Sequence, residues 1–165
     1  MAKTPKAVPD GHHTVTPYLV VRGAERAIEF YTRAFGARET ARMTGPGGMI
    51  IHAEVQVGDS RIMLSDEFPE LRTSSPEALG GTPVRLMLYV DDVDTWFRRA
   101  VEAGAKVEMT PRDMFWGDRY AKVSDPFGHR WDMATHREDL SADEMRKRQA
   151  AHNDARKAEK GVRRT

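Results

Sequence analysis

Hydrophobic and polar positions along this chain follow two periods, which alternate in the same order twice. Residues 14–22 are apolar and β-branched, which predicts a strand. Apolar residues then recur at 24, 27, 28, 31, 34 and 35, the stripe of an amphipathic helix, and Gly36 stands where a helix stops. Residues 38–43 predict a strand, and Gly45-Pro46-Gly47-Gly48 a turn. In residues 49–57, Ile51, Ala53, Val55 and Val57 share one face while His52, Glu54 and Gln56 share the other. Gly58-Asp59 turns the chain into 61–65, where Ile62 and Leu64 oppose Arg61, Met63 and Ser65.

The same order returns after a turn-rich linker at 67–82. Residues 84–90 predict a strand, and 92–103 a helix with Val93, Trp96, Phe97, Ala100 and Val101 on its core side, capped by Asp91 or Asp92. A short strand at 106–109 and a loop at 110–118 carrying Phe115 and Trp116 follow. A last hairpin of 119–124 and 129–135 turns at Asp125-Pro126-Phe127-Gly128. The ending Ala34-Phe35-Gly36-Ala37 of the first helix has its counterpart in Glu102-Ala103-Gly104-Ala105 of the second. Residues 14–66 and 83–136 therefore predict two like βαβββ modules, an α+β fold with a cupped mixed sheet, and facing modules make a cleft. Residues 1–13, with Pro5, Pro9 and Gly11, predict a flexible arm. Residues 137–165 predict a polar helical tail opened by a Ser141–Glu144 capping box, with Leu140 placed to staple it.

Composition narrows the function. The chain has 165 residues, 31% charged and 39% hydrophobic, with a net charge of +1. No global field steers nucleic acid, and the basic residues of the tail lack interleaved aromatics. There is no cysteine, which removes disulfides, thiolate nucleophiles and thiolate metal sites. No apolar run approaches the roughly 20 residues of a membrane span. No apolar segment follows Lys3 and Lys6, so no secretory signal is predicted and the expected compartment is the cytoplasm. Phosphate-cradling glycine loops and nucleophile elbows are absent.

Three stretches resemble the vicinal oxygen chelate superfamily, which holds glyoxalases, bleomycin-resistance proteins and extradiol dioxygenases. They are residues 18–31, Tyr89-Val90-Asp91-Asp92-Val93 with Ala103-Gly104-Ala105, and Asp125-Pro126-Phe127-Gly128-His129-Arg130-Trp131. His52-Ala53-Glu54, Met63-Leu64-Ser65-Asp66-Glu67 and Phe115-Trp116-Gly117-Asp118-Arg119-Tyr120 look most like its PhnB-like branch. The resemblance implies a homodimer, often with modules exchanged between chains. It also implies, for the enzymatic members, a divalent metal held by His and Glu on cleft-facing strand positions. Those positions here are Thr16, Met63, Arg85 and Asp132, of which Asp132 alone is a competent ligand. A guanidinium at 85 opposes a cation, and a thioether at 63 suits a hard ion poorly. The expectation is no metal. A displaced site would use His52, Glu54 and Asp132 to hold Zn, Ni, Mn or Fe. His12 and His13 precede the fold and are read as incidental. His129, His136 and His152 are expected to be exposed.

Strand alternation places Thr16, Tyr18, His52, Glu54, Gln56, Arg61, Met63, Ser65, Arg85, Met87, Tyr89, Tyr120, Lys122, Arg130 and Asp132 on the cleft side. Leu19, Val21, Val55, Ile62, Leu64, Leu86, Leu88, Trp131 and Met133 face the helices. From these, Tyr18, His52, Glu54, Arg61, Met63, Arg85, Tyr89, Phe115, Trp116, Tyr120 and Asp132 form the expected ligand-binding set. Arginine, methionine and aromatic side chains together suit a small, planar, partly anionic molecule. The leading expectation is a small-molecule-binding protein of the bleomycin-resistance type. The alternatives are a metal-dependent lyase, isomerase or dioxygenase, and a regulatory module with a vestigial cleft.

Overall fold

The computed structural model describes residues 6–162; residues 1–5 of the expected arm and 163–165 of the expected tail lie outside them. The first module contains β1 (Tyr18–Val21), α1 (Ala24–Phe35), β2 (Arg38–Thr44), β3 (Ile50–Val57) and β4 (Ser60–Asp66). A four-residue helix, α2 (Pro76–Leu79), lies in the connection. The second module contains β5 (Arg85–Tyr89), α3 (Val93–Ala103), β6 (Lys106–Asp113), β7 (Asp118–Ser124) and β8 (Arg130–His136), and the tail is α4 (Ala142–Val162). Each module forms its own sheet, in the orders β1-β4-β3-β2 and β5-β8-β7-β6. The first strand of each runs parallel to the last and the remaining pairs are antiparallel. The α+β fold of two βαβββ modules and a C-terminal helix is thus the one the sequence predicts.

Equivalent groups start the two helices. Asp66, at the end of β4, takes the backbone N–H groups of Gly23 and Ala24 at 2.9 and 2.8 Å with one oxygen and that of Ile50 with the other. In the second module Thr135 of β8 accepts from Val93 N–H, and Asp92 accepts from Asp94 and Thr95. These bonds satisfy amides that a helix start leaves without partners. Gly36 and Gly104 close the helices in the left-handed region.

The buried faces of α1 and α3 merge the modules into one core. The Phe35 ring lies 4.7 Å from that of Trp131 and 6.3 Å from that of Trp96. Tyr31 stacks on Phe35 and tilts against Trp131. Asp125, buried in the β7–β8 turn, joins this core with four acceptor bonds. One oxygen takes the N–H groups of Phe127 and His129, and the other takes the Tyr31 hydroxyl and Trp131 Nε1–H. Burial, and then the Asp125 charge, hold the Tyr31 phenol well above its ordinary pKa. The carbonyls of Pro17 and Val21 accept from Met63 N–H of β4 and from Glu67 N–H just beyond it, so that of Val20 faces the unpaired outer edge of β1. There His129 Nε2–H donates to it at 3.1 Å.

Several local expectations are corrected. Residues 14–17 are not strand, because Pro17 ends an irregular approach in which Thr16 bonds back to the His13 carbonyl. The expected linker holds α2, capped by Ser75 and closed by Gly80. The expected loop at 110–118 shrinks to 114–117, since β6 continues through Pro111. A proline is tolerated there because β6 is an edge strand. Ile51, expected on the apolar face, is exposed and Ile50 is buried, with a register shift between Met43 and Thr44 on the facing strand. His129 is part-buried and bonded. The Ser141 hydroxyl accepts Glu144 N–H as the capping box requires, while the Glu144 carboxylate turns to Arg148. No helix among the described residues is long and apolar enough to cross a membrane.

Candidate functional site

Cup-side residues of the first module form one polar cluster. Cross-strand register sets Tyr18 and Glu54 on either side of Met63, and Gln56 beside Arg61. Tyr18 Oη lies 3.0 Å from His52 Nδ1, and His52 Nε2 lies 3.4 Å from Glu54 Oε1. Arg61 donates to Glu54 Oε2 at 2.8 Å. Burial works to raise the Glu54 pKa, but the bonds from Arg61 and His52 and the nearby charges outweigh it, so the group sits below the usual carboxylate range.

His12, read as incidental, belongs to this cluster. The arm turns at Pro9–His12 and brings its imidazole to 3.6 Å from Glu54 Oε2, with 10% of the side chain exposed. Both its ring nitrogens and Arg61 Nε are buried without a hydrogen-bond partner. Gly11 permits the approach: its φ is +81°, and a Cβ there would lie 2.8 Å from the Arg61 guanidinium. Nothing in a single non-periodic arm residue signals such burial.

The second module carries a different cluster. Asp132, 6% exposed, receives Tyr120 O–H at 2.5 Å on Oδ2, and the Arg85 guanidinium forms an ion pair with the same oxygen at 2.9 Å. Burial, followed by the bond to Asp132 and its charge, pushes the Tyr120 phenol well up, and Arg85 opposes this. Lys122 lies over the Tyr120 ring. Buried Asp118 anchors the aromatic loop: it accepts Trp116 Nε1–H at 3.1 Å and the Tyr89 hydroxyl at 3.4 Å, and its other oxygen meets His136 Nδ1 at 2.8 Å. Phe115 is edge-on to Trp116, Trp116 is edge-on to Tyr120, and His152 of α4 lies against Phe115. His136 and His152 are exposed, as expected.

The expected binding residues therefore form two groups, one per module. Tyr18, His52, Glu54, Arg61 and Met63 belong to the first; Arg85, Tyr89, Phe115, Trp116, Tyr120 and Asp132 belong to the second. No hydrogen bond, ion pair or ring contact joins them among the described residues. Asp132 in particular does not meet His52 and Glu54.

The superfamily's metal does not fit these residues. Its four expected corners hold a hydroxyl, a thioether, a guanidinium and one carboxylate, and the guanidinium already occupies the carboxylate. Among the described residues no group of three or more His, Asp or Glu side chains is placed to hold a metal ion.

Two βαβββ modules joined through their helices, each with a polar and aromatic cup face, define a duplicated-module protein of the glyoxalase-like class. The chain belongs to the Glyoxalase/Bleomycin resistance protein/Dioxygenase superfamily, whose model matches residues 11–133. It is 41% identical over 143 residues to an uncharacterized protein of Mycobacterium bovis, covering 85% of this chain and 94% of that one. Among solved structures it is similar to TioX from Micromonospora sp. ML1, with a TM-score of 0.60 and 27% identity over 75% of this chain and 98% of TioX. The PhnB protein from Bacillus cereus shares the fold at a TM-score of 0.56 and 16% identity, over 74% of this chain and 99% of that one.

Proposed function

We propose that this protein binds a small, planar, partly anionic molecule on its cup faces without a resident metal, and that it does so as a homodimer in the cytoplasm. The observation that carries this reading is the Arg85–Asp132–Tyr120 cluster. A fixed cation stands where metal chemistry would need a ligand, and its side chain remains 47% exposed although it spans a buried carboxylate. A guanidinium in that state has donors left for an incoming carboxylate or sulfonate. Trp116, fixed by Asp118, and Tyr89, 67% exposed, supply ring surface beside it. Tyr18 and Met87 are also exposed on the cup faces, apolar surface that a second copy would cover.

A thermal-shift screen of aromatic carboxylates, run with and without divalent ions, tests the reading. A ligand should raise Tm equally in both conditions. Arg85→Lys retains the charge over Asp132 and loses the planar fork. It should weaken binding by about tenfold, the worth of one charge-assisted hydrogen bond. Stoichiometric divalent metal in tag-free protein, together with a Tm that falls on chelation, would overturn the metal-free account. Sedimentation equilibrium checks the dimer.

A further inference from the structure

His136 ends β8, and each of its ring nitrogens meets a carboxylate. Nδ1 lies 2.8 Å from Asp118 Oδ1, and Nε2 lies 3.0 Å from Asp139 Oδ1. An ionised carboxylate only accepts, so a ring placed between two of them carries a proton on both nitrogens and a positive charge. The two carboxylates differ in surroundings. Asp139 is fully exposed, whereas Asp118 is 5% exposed. Water reaches the first and not the second, so Asp118 depends on a countercharge from the protein. The other cations of this region are committed elsewhere. Arg119 of β7 pairs with Asp94 of α3 and Asp113 of β6, Arg137 acts on Asp94, and Arg148 of α4 pairs with Glu138. Tyr89 of β5 reaches the second Asp118 oxygen as a phenol that the Asp118 charge keeps protonated. Among the described residues His136 is therefore the one side chain that forms an ion pair with Asp118.

We infer that His136 is a positioning residue for the second-module cup: its imidazolium neutralises Asp118, the acceptor that holds Trp116 and Tyr89, and thereby makes the affinity of that face for an anionic ring depend on pH. The inference rests on the proposed cup function and deepens it by naming how the site is regulated. The bonds to Asp139 and to Asp118 raise the His136 pKa above that of an ordinary imidazole. The charge is thus present below the ordinary value and lost as pH rises through the raised one. After that loss the ring keeps a single N–H, which still serves Asp118. The buried carboxylate is then no longer neutralised, and it repels an anion seated on the rings that it holds. Trp116 Nε1–H feels the same change, because it donates to the other oxygen of this carboxylate.

Two measurements on the full chain test this. In ¹H–¹⁵N spectra recorded from about pH 6 to 9, the Trp116 indole N–H should titrate with the His136 ring. Trp131, whose indole bonds to Asp125 instead, should stay nearly still. In the second, 2-naphthoate is titrated in at each pH, its carboxylate remaining ionised throughout. Its Kd for the wild type should rise by about tenfold across the range, the worth of one charge-assisted interaction. His136→Gln should bind at the weaker level at every pH. His136→Lys, which keeps a cation beside Asp118, should bind at the tighter level at every pH, a split that a purely structural role would not produce. A Trp116 resonance that ignores pH overturns the proposal, as does a pH profile shared by the wild type and His136→Gln. If 2-naphthoate binds at no pH, the cup function fails, and the coupling of His136 to the ring wall stands or falls on the Trp116 titration alone. That titration also decides the matter if the variants do not fold.

Discussion

Asp125 accepts from four donors, two of which are the ring groups of Tyr31 and Trp131. Asp125→Asn turns one of its acceptor oxygens into a donor and leaves buried groups without partners, at about 1–3 kcal/mol each. Urea unfolding should show a midpoint that falls at unchanged slope, and by more than in Tyr31→Phe, which removes a single donor. Equal midpoints for both variants would refute the hub. Glu54 acts through pH. Its folded-state pKa is depressed, so its contribution is present above the ordinary carboxylate value and lost as pH falls through the depressed one. In Glu54→Gln the drop in Tm below about pH 4.5 should therefore be shallower than in the wild type. Parallel acid limbs would show that the Arg61 and His52 bonds do not set its titration. The cup-side alternation that names Glu54 and Asp132 is legible in the sequence. The coupling of Asp125 to Tyr31 is not, because the partners are far apart in sequence and belong to different modules.

The element with the sharpest local constraint is the loop between β6 and β7. Gly117 has φ of +96°, and a Cβ there would lie 2.6 Å from the Glu138 carbonyl oxygen. Gly117→Ala should cost about 1–3 kcal/mol from backbone strain alone and more from the collision. It should also move the Trp116 emission spectrum, the readout that separates a displaced loop from general loosening. An unchanged spectrum would count against the loop's dependence on this glycine. Period and capping residues place α1 and α3 from sequence, since helical spacing and the glycines after them act locally. The extent of β6 is hidden because Pro111 reads as a break, and whether a proline is tolerated depends on which strand ends up at the edge. For α2 the Ser75-Pro76 start and Gly80 stop were present, yet the helix is too short for a periodic stripe.

At the scale of the whole molecule, the shared core of α1, α3 and the two sheets predicts one cooperative unfolding step. Far-UV circular dichroism and tryptophan fluorescence should trace coincident curves. Separate transitions would mean that the Phe35–Trp131 contact does not couple the modules. The duplication is legible because each module repeats its own local signals. How the modules meet is set by ring packing and by Asp125, which periodicity does not encode. The arm over Glu54 is likewise a tertiary event with no local mark.

The imidazole on the Val20 carbonyl has a consequence for solubility. A short outer strand with an open acceptor invites a foreign chain to extend the sheet and seed aggregates. Here the opposite half of the same polypeptide fills that acceptor. The second half thereby guards the first, and any partial opening that separates them uncovers the outer edge of β1.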